Sequence, residues 1–162
     1  MEIQSSLKDH NRQVLKVIYS ETDPLLGLEG RILQGVHAFC FCGDEMVLVK
    51  HPKSGWMPPG GSIELNETFE QAVIREIKEE TNMKVISQKL IGFQDIYEPD
   101  RIIRQTRSFC TAEPYGDFVS DPDGKITEIK FINPADYKQY FDWGIVGDRI
   151  MEQALIYKST FV

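Results

Sequence analysis

The chain has 162 residues, 41% of them apolar, and a formal net charge of −7. That length suits one domain with a real core, and the apolar residues are too dispersed to span a membrane. The acidic balance excludes sequence-independent binding to DNA or RNA, which needs a basic surface, and it suits a site that collects cations.

In chain order, apolar alternation predicts a strand over residues 14–19, then a loop through Thr22, Asp23 and Pro24. A longer strand around residues 36–42 turns at Gly43 and Asp44 into residues 46–50, the pattern of a hairpin. Residues 51–60 read as a loop leading to a helix. Thr68 with Gln71 three positions on fits a capping box, so that helix should begin near Phe69. Strands are expected near residues 84–97 and 103–112. Two prolines, two glycines and three aspartates make residues 113–124 a loop. A strand over residues 126–132 follows. Asn133 and Pro134 supply a cap and a first-turn residue for a short helix, and Asp148 is placed to cap a last helix through about Tyr157. The order is α/β, with no internal repeat, low-complexity tract or linker.

Cys40 and Cys42 stand two apart in an apolar strand, hence on one face, and Cys110 falls in another strand. The cysteine count is odd, no CxxC occurs and no signal peptide opens the chain, so buried thiols in a reducing cytoplasm are expected. His10, His37 and His51 are scattered without ligand spacing, and each reads as structural or exposed.

Most of the chemistry lies in residues 60–83, GGSIELNETFEQAVIREIKEETNM. On a helix Glu79 projects roughly 60° to one side of Glu76 and Glu80 roughly 40° to the other, so three carboxylates share one arc. Val73, Ile74 and Ile77 occupy a neighbouring arc that can face a core. Arg75 stands one turn before Glu79. Two charges about 5 Å apart at an effective dielectric near 20 repel by roughly 3 kcal/mol. One arginine cannot neutralise four acids, counting Glu67 upstream. A divalent cation can, and all-oxygen donors point to magnesium or manganese. Taken alone, REIKEE reads better as a solvated charged face with Arg75 and Lys78 as partners, since such strings are common on surfaces. The glycines change that balance. Pro58 and Pro59 stiffen the approach to Gly60 and Gly61, where backbone can come close to another group.

Gly61, five residues, Glu67, seven residues, then Arg75-Glu76-Ile77-Lys78-Glu79-Glu80-Thr81 resembles the Nudix box, with Trp56 to Gly60 similar to the usual lead-in. The family's second glycine is Asn82 here. Asparagine tolerates the left-handed turn that follows a helix, so the change reads as a replacement cap. The resemblance implies a mixed β-sheet sandwiched between α-helices, and a metal-dependent pyrophosphohydrolase cleaving a phosphoanhydride bond in a nucleoside diphosphate linked to another moiety. It further implies that Glu76, Glu79, Glu80 and the Gly60 carbonyl hold Mg2+ or Mn2+. One of the glutamates, or an acid from a later loop, would take the proton of water. Arg75 would orient Glu79 or its neighbour, while Gly61 and Glu67 support the geometry.

Outside the box, Arg101, Arg104 and Arg107 are candidates for substrate phosphates or a ribose-linked group, and equally for surface positions. Pro99 resembles a proline in some relatives that hydrolyse ADP-ribose. Glu128 is similar in placement to an extra metal-binding acid, and a solvent-facing strand residue reads as well. Trp143 and Phe141 suit core packing better than stacking on a base. The expected partner is a small nucleotide derivative, with no nucleic-acid polymer and no membrane; a homodimer is left open. The alternative function is a nucleotide-sensing module with little turnover, which need not retain such mutually repelling acids. Isopentenyl diphosphate isomerisation would need further Cys, Glu and His residues that find no place in this chain.

Overall fold

Period-two alternation decides which face each strand presents. In β3 (Arg31–Cys42), Val36, Ala38 and Cys40 pack on one side and Phe39 and Phe41 on the other. Its hairpin partner β4 (Glu45–His51) divides likewise, with Val47 joining the first set and Met46 and Leu48 the second. Two apolar faces need two covers. The helix α1 (Phe69–Thr81) brings Phe69, Ala72, Val73 and Ile77 to the first face. The helix α2 (Gly144–Thr160) brings Val146, Ile150, Met151 and Ala154 to the second. The outcome is the α/β arrangement expected from the box, a mixed sheet between helices. The computed structural model describes residues 1–119, 121, 122 and 124–160. None of the described helices is long and apolar enough to cross a membrane.

The other strands are β1 (Glu2–Lys8), β2 (Val14–Ser20), β5 (Gly55–Met57), β6 (Gly60–Ser62), β7 (Met83–Tyr97), β8 (Ile102–Pro114) and β9 (Ile129–Ile132). They follow the order β1-β2-β7-β8-β3-β4-β5, with β6 beside β3 and β9 beside β4. Strands β3 and β8 run parallel, which sets His37 opposite Arg107 and Cys40 opposite Cys110. The remaining pairings are antiparallel. Cys40 and Cys110 are buried, Cys42 is half-buried, and all three are free thiols.

Several expectations need correcting. Strand β1 has a largely polar sequence, EIQSSLK, and gave no clear signal; its pairing with β2 makes it a strand. Residues 51–60 are not one loop, since β5 lies within them and β6 begins at Gly60. Three-residue strands are too short to show a period, and only their partners β4 and β3 define them. The strand expected over residues 126–132 starts at Ile129. Asp148 is no cap, because α2 begins at Gly144, whose N–H donates to Asp142 at 2.9 Å. Asp148 instead accepts from the Tyr137 hydroxyl at 2.6 Å. Ile74 is half exposed on the flank of α1 rather than in the core. The Asn133 cap forms as expected on a 3-10 helix, Pro134–Gln139. In the stretch read as the loop 113–124, Ser120 and Asp123 lie outside the described residues.

Candidate active site

The capping box sets the register of the acids. Thr68 Oγ1 accepts from Gln71 N–H at 3.1 Å and Gln71 Oε1 from Thr68 N–H at 2.9 Å, which starts α1 at Phe69. Glu67 is left just outside, facing Arg75. The Arg75 Nε and Nη2 donate to its two oxygens at 2.8 and 2.9 Å, fork against fork. The same guanidinium donates to Glu76 at 2.9 Å, to Glu79 at 3.3 Å and to the Ser62 carbonyl at 2.8 Å. Arg75 therefore ties the turn before α1, the strand β6 and two helix carboxylates into one unit. Its bonds to Glu67 raise the guanidinium's pKa further and hold the Glu67 carboxyl below the usual carboxylate range.

Glu80 is in the opposite situation. Its Oε1 accepts from the Gly60 N–H at 2.9 Å, and the residue is 8% exposed. Among the described residues no cation pairs with it. Burial pushes its carboxyl up to about 8, offset in part by the Gly60 N–H and reinforced by Glu76, Asp121 and Glu79. Asp121 is buried in the loop before β9 and accepts from Ile126 N–H at 3.1 Å. Spacing could not have singled it out within a stretch of Pro, Gly and Asp.

Glycine is a steric requirement at two positions. A β-carbon on Gly61 would fall inside the Glu76 carboxylate, and one on Gly60 would run into the Val36 carbonyl and His37. Both residues lie in β6, paired with His37 and Val36 of β3.

Among the described residues no three His, Cys, Asp or Glu side chains converge as a preassembled ligand cluster. Arg75 engages Glu76 and Glu79, and Glu80 turns to Gly60. The donor set still fits a hard divalent cation. It is rich in carboxylate oxygen, and one buried carboxylate lacks a counter-charge. Two histidines far apart in sequence, His37 and His51, meet beside it, lining a pocket of about 160 Å³ with Gly60, Gly61 and Glu80. His37 Nδ1 is buried without a partner among the described residues, and burial, with Arg107 nearby, holds the ring neutral.

A larger cavity of about 500 Å³ opens on the α2 side, with Gln94, Gln105, Arg107 and Trp143 in its wall. The structure separates the three arginines that the sequence grouped. Arg101 is exposed and pairs with Glu98 at 2.8 Å. Arg104 is buried, bonded to Asp95 and to the carbonyls of Pro24 and Leu26, so its donors are spent on the fold. Arg107 alone of the three reaches the cavity. Glu128 is exposed, 3.6 Å from Lys50, and Pro99 is exposed. Phe141 is in the core, whereas Trp143 packs edge-on against Phe39 and His37 and also faces the cavity.

Asn82 takes the left-handed conformation at φ 55° and ψ 40°, as its place after α1 predicts. Its side chain also donates to the Asp117 carbonyl at 3.0 Å, a tether the sequence did not reveal. Asn82→Gly keeps the backbone preference and loses that bond. Urea denaturation should register a loss of about 1 kcal/mol or less, and the carboxylate geometry should persist.

The NUDIX domain model matches residues 32–153 of the chain. A Bacillus subtilis protein named as a putative 8-oxo-dGTP diphosphatase, YtkD, is 33% identical over 78 residues, covering 48% of this chain and 49% of its own. An uncharacterized Nudix hydrolase of the same organism, YvcI, is 35% identical over 89 residues, 51% of this chain and 56% of its own. The chain thus spans about half the length of the curated relatives it matches. The crystal structure of a mutant Bacillus subtilis pyrophosphohydrolase, BsRppH, superposes with a TM-score of 0.65 at 23% identity, covering 80% of this chain and 77% of that one. That likeness bears on the fold alone.

Proposed function

The chain belongs to the Nudix family, and from that premise we propose that it is a divalent-cation-dependent hydrolase of a phosphoanhydride bond in a small nucleotide derivative. One observation carries the reading. Glu80 is a buried carboxylate without a counter-cation among the described residues, set against Glu76, Glu79 and Asp121. A fold that holds such a group gains by binding a cation there.

Glu76, Glu79, Glu80 and the Gly60 carbonyl would hold Mg2+ or Mn2+, once Glu80 turns from the Gly60 N–H while Arg75 keeps its bond to one oxygen each of Glu76 and Glu79. When bound, the metal neutralises phosphate charge and eases the ionisation of water. The chain's own residues do the rest. A carboxylate, from Glu76, Glu79 or Asp121, takes the proton of water as its oxygen attacks phosphorus. The anhydride P–O bond breaks, and the leaving phosphate departs with the bonding pair. Arg75 keeps Glu76 and Glu79 in place through its bonds to Glu67 and Ser62. The cavity beside Trp143 suits the nucleoside end. The name of the relative YtkD supports a nucleoside triphosphate among the candidates. Three free thiols suit a cytoplasmic, reducing compartment.

The test is a panel of nucleoside triphosphates, ADP-ribose, dinucleoside polyphosphates and nucleotide sugars assayed with magnesium and again after exhaustive chelation. Full turnover in chelator would sink the proposal.

A thermal measurement checks the same carboxylates without substrate. Glu80 sits at about 8 in the folded chain against 4.5 ordinarily, so the folded state keeps a proton that the unfolded state has lost. Its stabilising effect is complete below pH 4.5 and falls as pH rises toward about 8. In chelator, Tm should therefore decline across that window, and saturating magnesium should flatten the decline. Identical pH profiles with and without magnesium would remove the cation from this site.

A further inference from the structure

Arg107 is 3% exposed, yet it lines the large cavity and makes no ion pair among the described residues. Its acceptors are the Thr106 carbonyl at 3.1 Å and Gln105 Oε1 at 3.2 Å, while its buried Nε finds none among the described residues. A guanidinium carries five N–H donors in a planar fork, so most of this one is unmatched. A buried cation with spare donors does nothing for the fold that an apolar side chain would not do better. Arg104, three residues earlier, shows the contrast, with its carboxylate and carbonyl partners in place.

The walls indicate what Arg107 meets. Its guanidinium carbon lies 5.3 Å from the Trp143 ring centre. Leu7, Val17, Ile96 and Val146 are apolar, Gln94 and Gln105 are carboxamides, Asp142 is the one acid in the wall, and no second Lys or Arg lines the cavity among the described residues. Phosphates draw several charged donors together. A planar heterocycle wants a flat aromatic surface, apolar edges and a few placed polar groups. Part of the wall comes from β1 and β2, outside the residues that the domain model matches.

Resting on the nucleotide reading above, we propose that Arg107 reads the base, its fork donating to the adjacent O6 and N7 acceptors of a 6-oxopurine. The protein then selects guanine and hypoxanthine nucleotides over adenine nucleotides. Adenine keeps N7 but turns an amino donor toward the guanidinium, and two donors facing each other in a dry cavity leave both unsatisfied.

The experiment has two arms, each on the parent and on Arg107→Met. Calorimetry measures binding of GMP, IMP and AMP to the metal-free protein, and kcat and KM are measured on dGTP, dITP and dATP with magnesium. GMP and IMP should bind about 10- to 100-fold more tightly than AMP, the discrimination usual for one bidentate arginine–purine pair. Arg107→Met should bring that ratio close to one, act mainly on KM, and leave Tm equal or higher. If the variant weakens all three ligands equally, Arg107 holds phosphate and the proposal falls. It falls too if the parent shows no preference, or prefers GMP without IMP, because the 2-amino group then carries the selection. Should Arg107→Met fold poorly, Arg107→Lys keeps the charge without the fork and must lose most of the preference. If no nucleotide is hydrolysed, the hydrolase reading fails, and the monophosphate ratios still decide the base reading.

Discussion

Glu80→Gln is expected to lower turnover on a confirmed substrate by about 10²-fold or more, the order of loss when one preorganised electrostatic group is removed. The substitution is nearly isosteric, and the glutamine oxygen can still accept from the Gly60 N–H that Glu80 holds at 2.9 Å. The loop and helix should therefore stay together. What disappears is the one carboxylate of the arc that Arg75 does not bond. More magnesium should be needed for half-maximal rate. In chelator the variant should match or exceed the parent in Tm, because a buried carboxyl pushed up by its surroundings has become neutral. Lys78→Gln is the control. It stands about 160° round the helix from Glu80, with its ammonium 5.5 Å from the Tyr115 ring centre, and it should leave turnover unaltered. Parent-like rates in both variants would reduce the helix to a charged surface.

Gly61→Ala should be comparably severe for a different reason. The added methyl would displace the Glu76 carboxylate from where Arg75 now bonds it at 2.9 Å. That carboxylate is the movable end of a side chain, so the fold can yield there without unpairing β6 from β3. A loss of about 10²-fold in kcat is expected, the usual cost of a small misplacement of a reacting group, with Tm within a few degrees of the parent. Gly60→Ala separates position from stability. Its methyl meets the Val36 carbonyl, which is backbone and cannot turn aside. That variant should be destabilised by about 1–3 kcal/mol, the range for overpacking, as read by urea denaturation. A Gly61→Ala enzyme with unchanged kcat would show that Glu76 need not stay where it is.

What the sequence determined by itself is the local part of this site. The spacing of Glu76, Glu79 and Glu80 becomes an arc because helix geometry depends only on residue number, and Thr68, Gln71 and Asn82 set where that helix starts and stops. Alternation in β3 and β4 likewise fixed two buried faces and hence a sandwiched sheet. The tertiary structure decided everything that depends on pairing. β6 is three residues long and exists because β3 receives it, yet it brings Gly60 to Glu80 and Gly61 to Glu76. Asp121, His37 and His51 reach the same place from three separate segments. Arg104 and Arg107 look alike in sequence, but three residues along a strand put them on opposite faces. One face lies under the loop that carries Pro24 and Leu26, and there the cation is consumed; the other opens on Trp143, and there it is held ready. Sequence spacing sets the direction of a side chain along its own element, and only the packing of other elements sets what it meets.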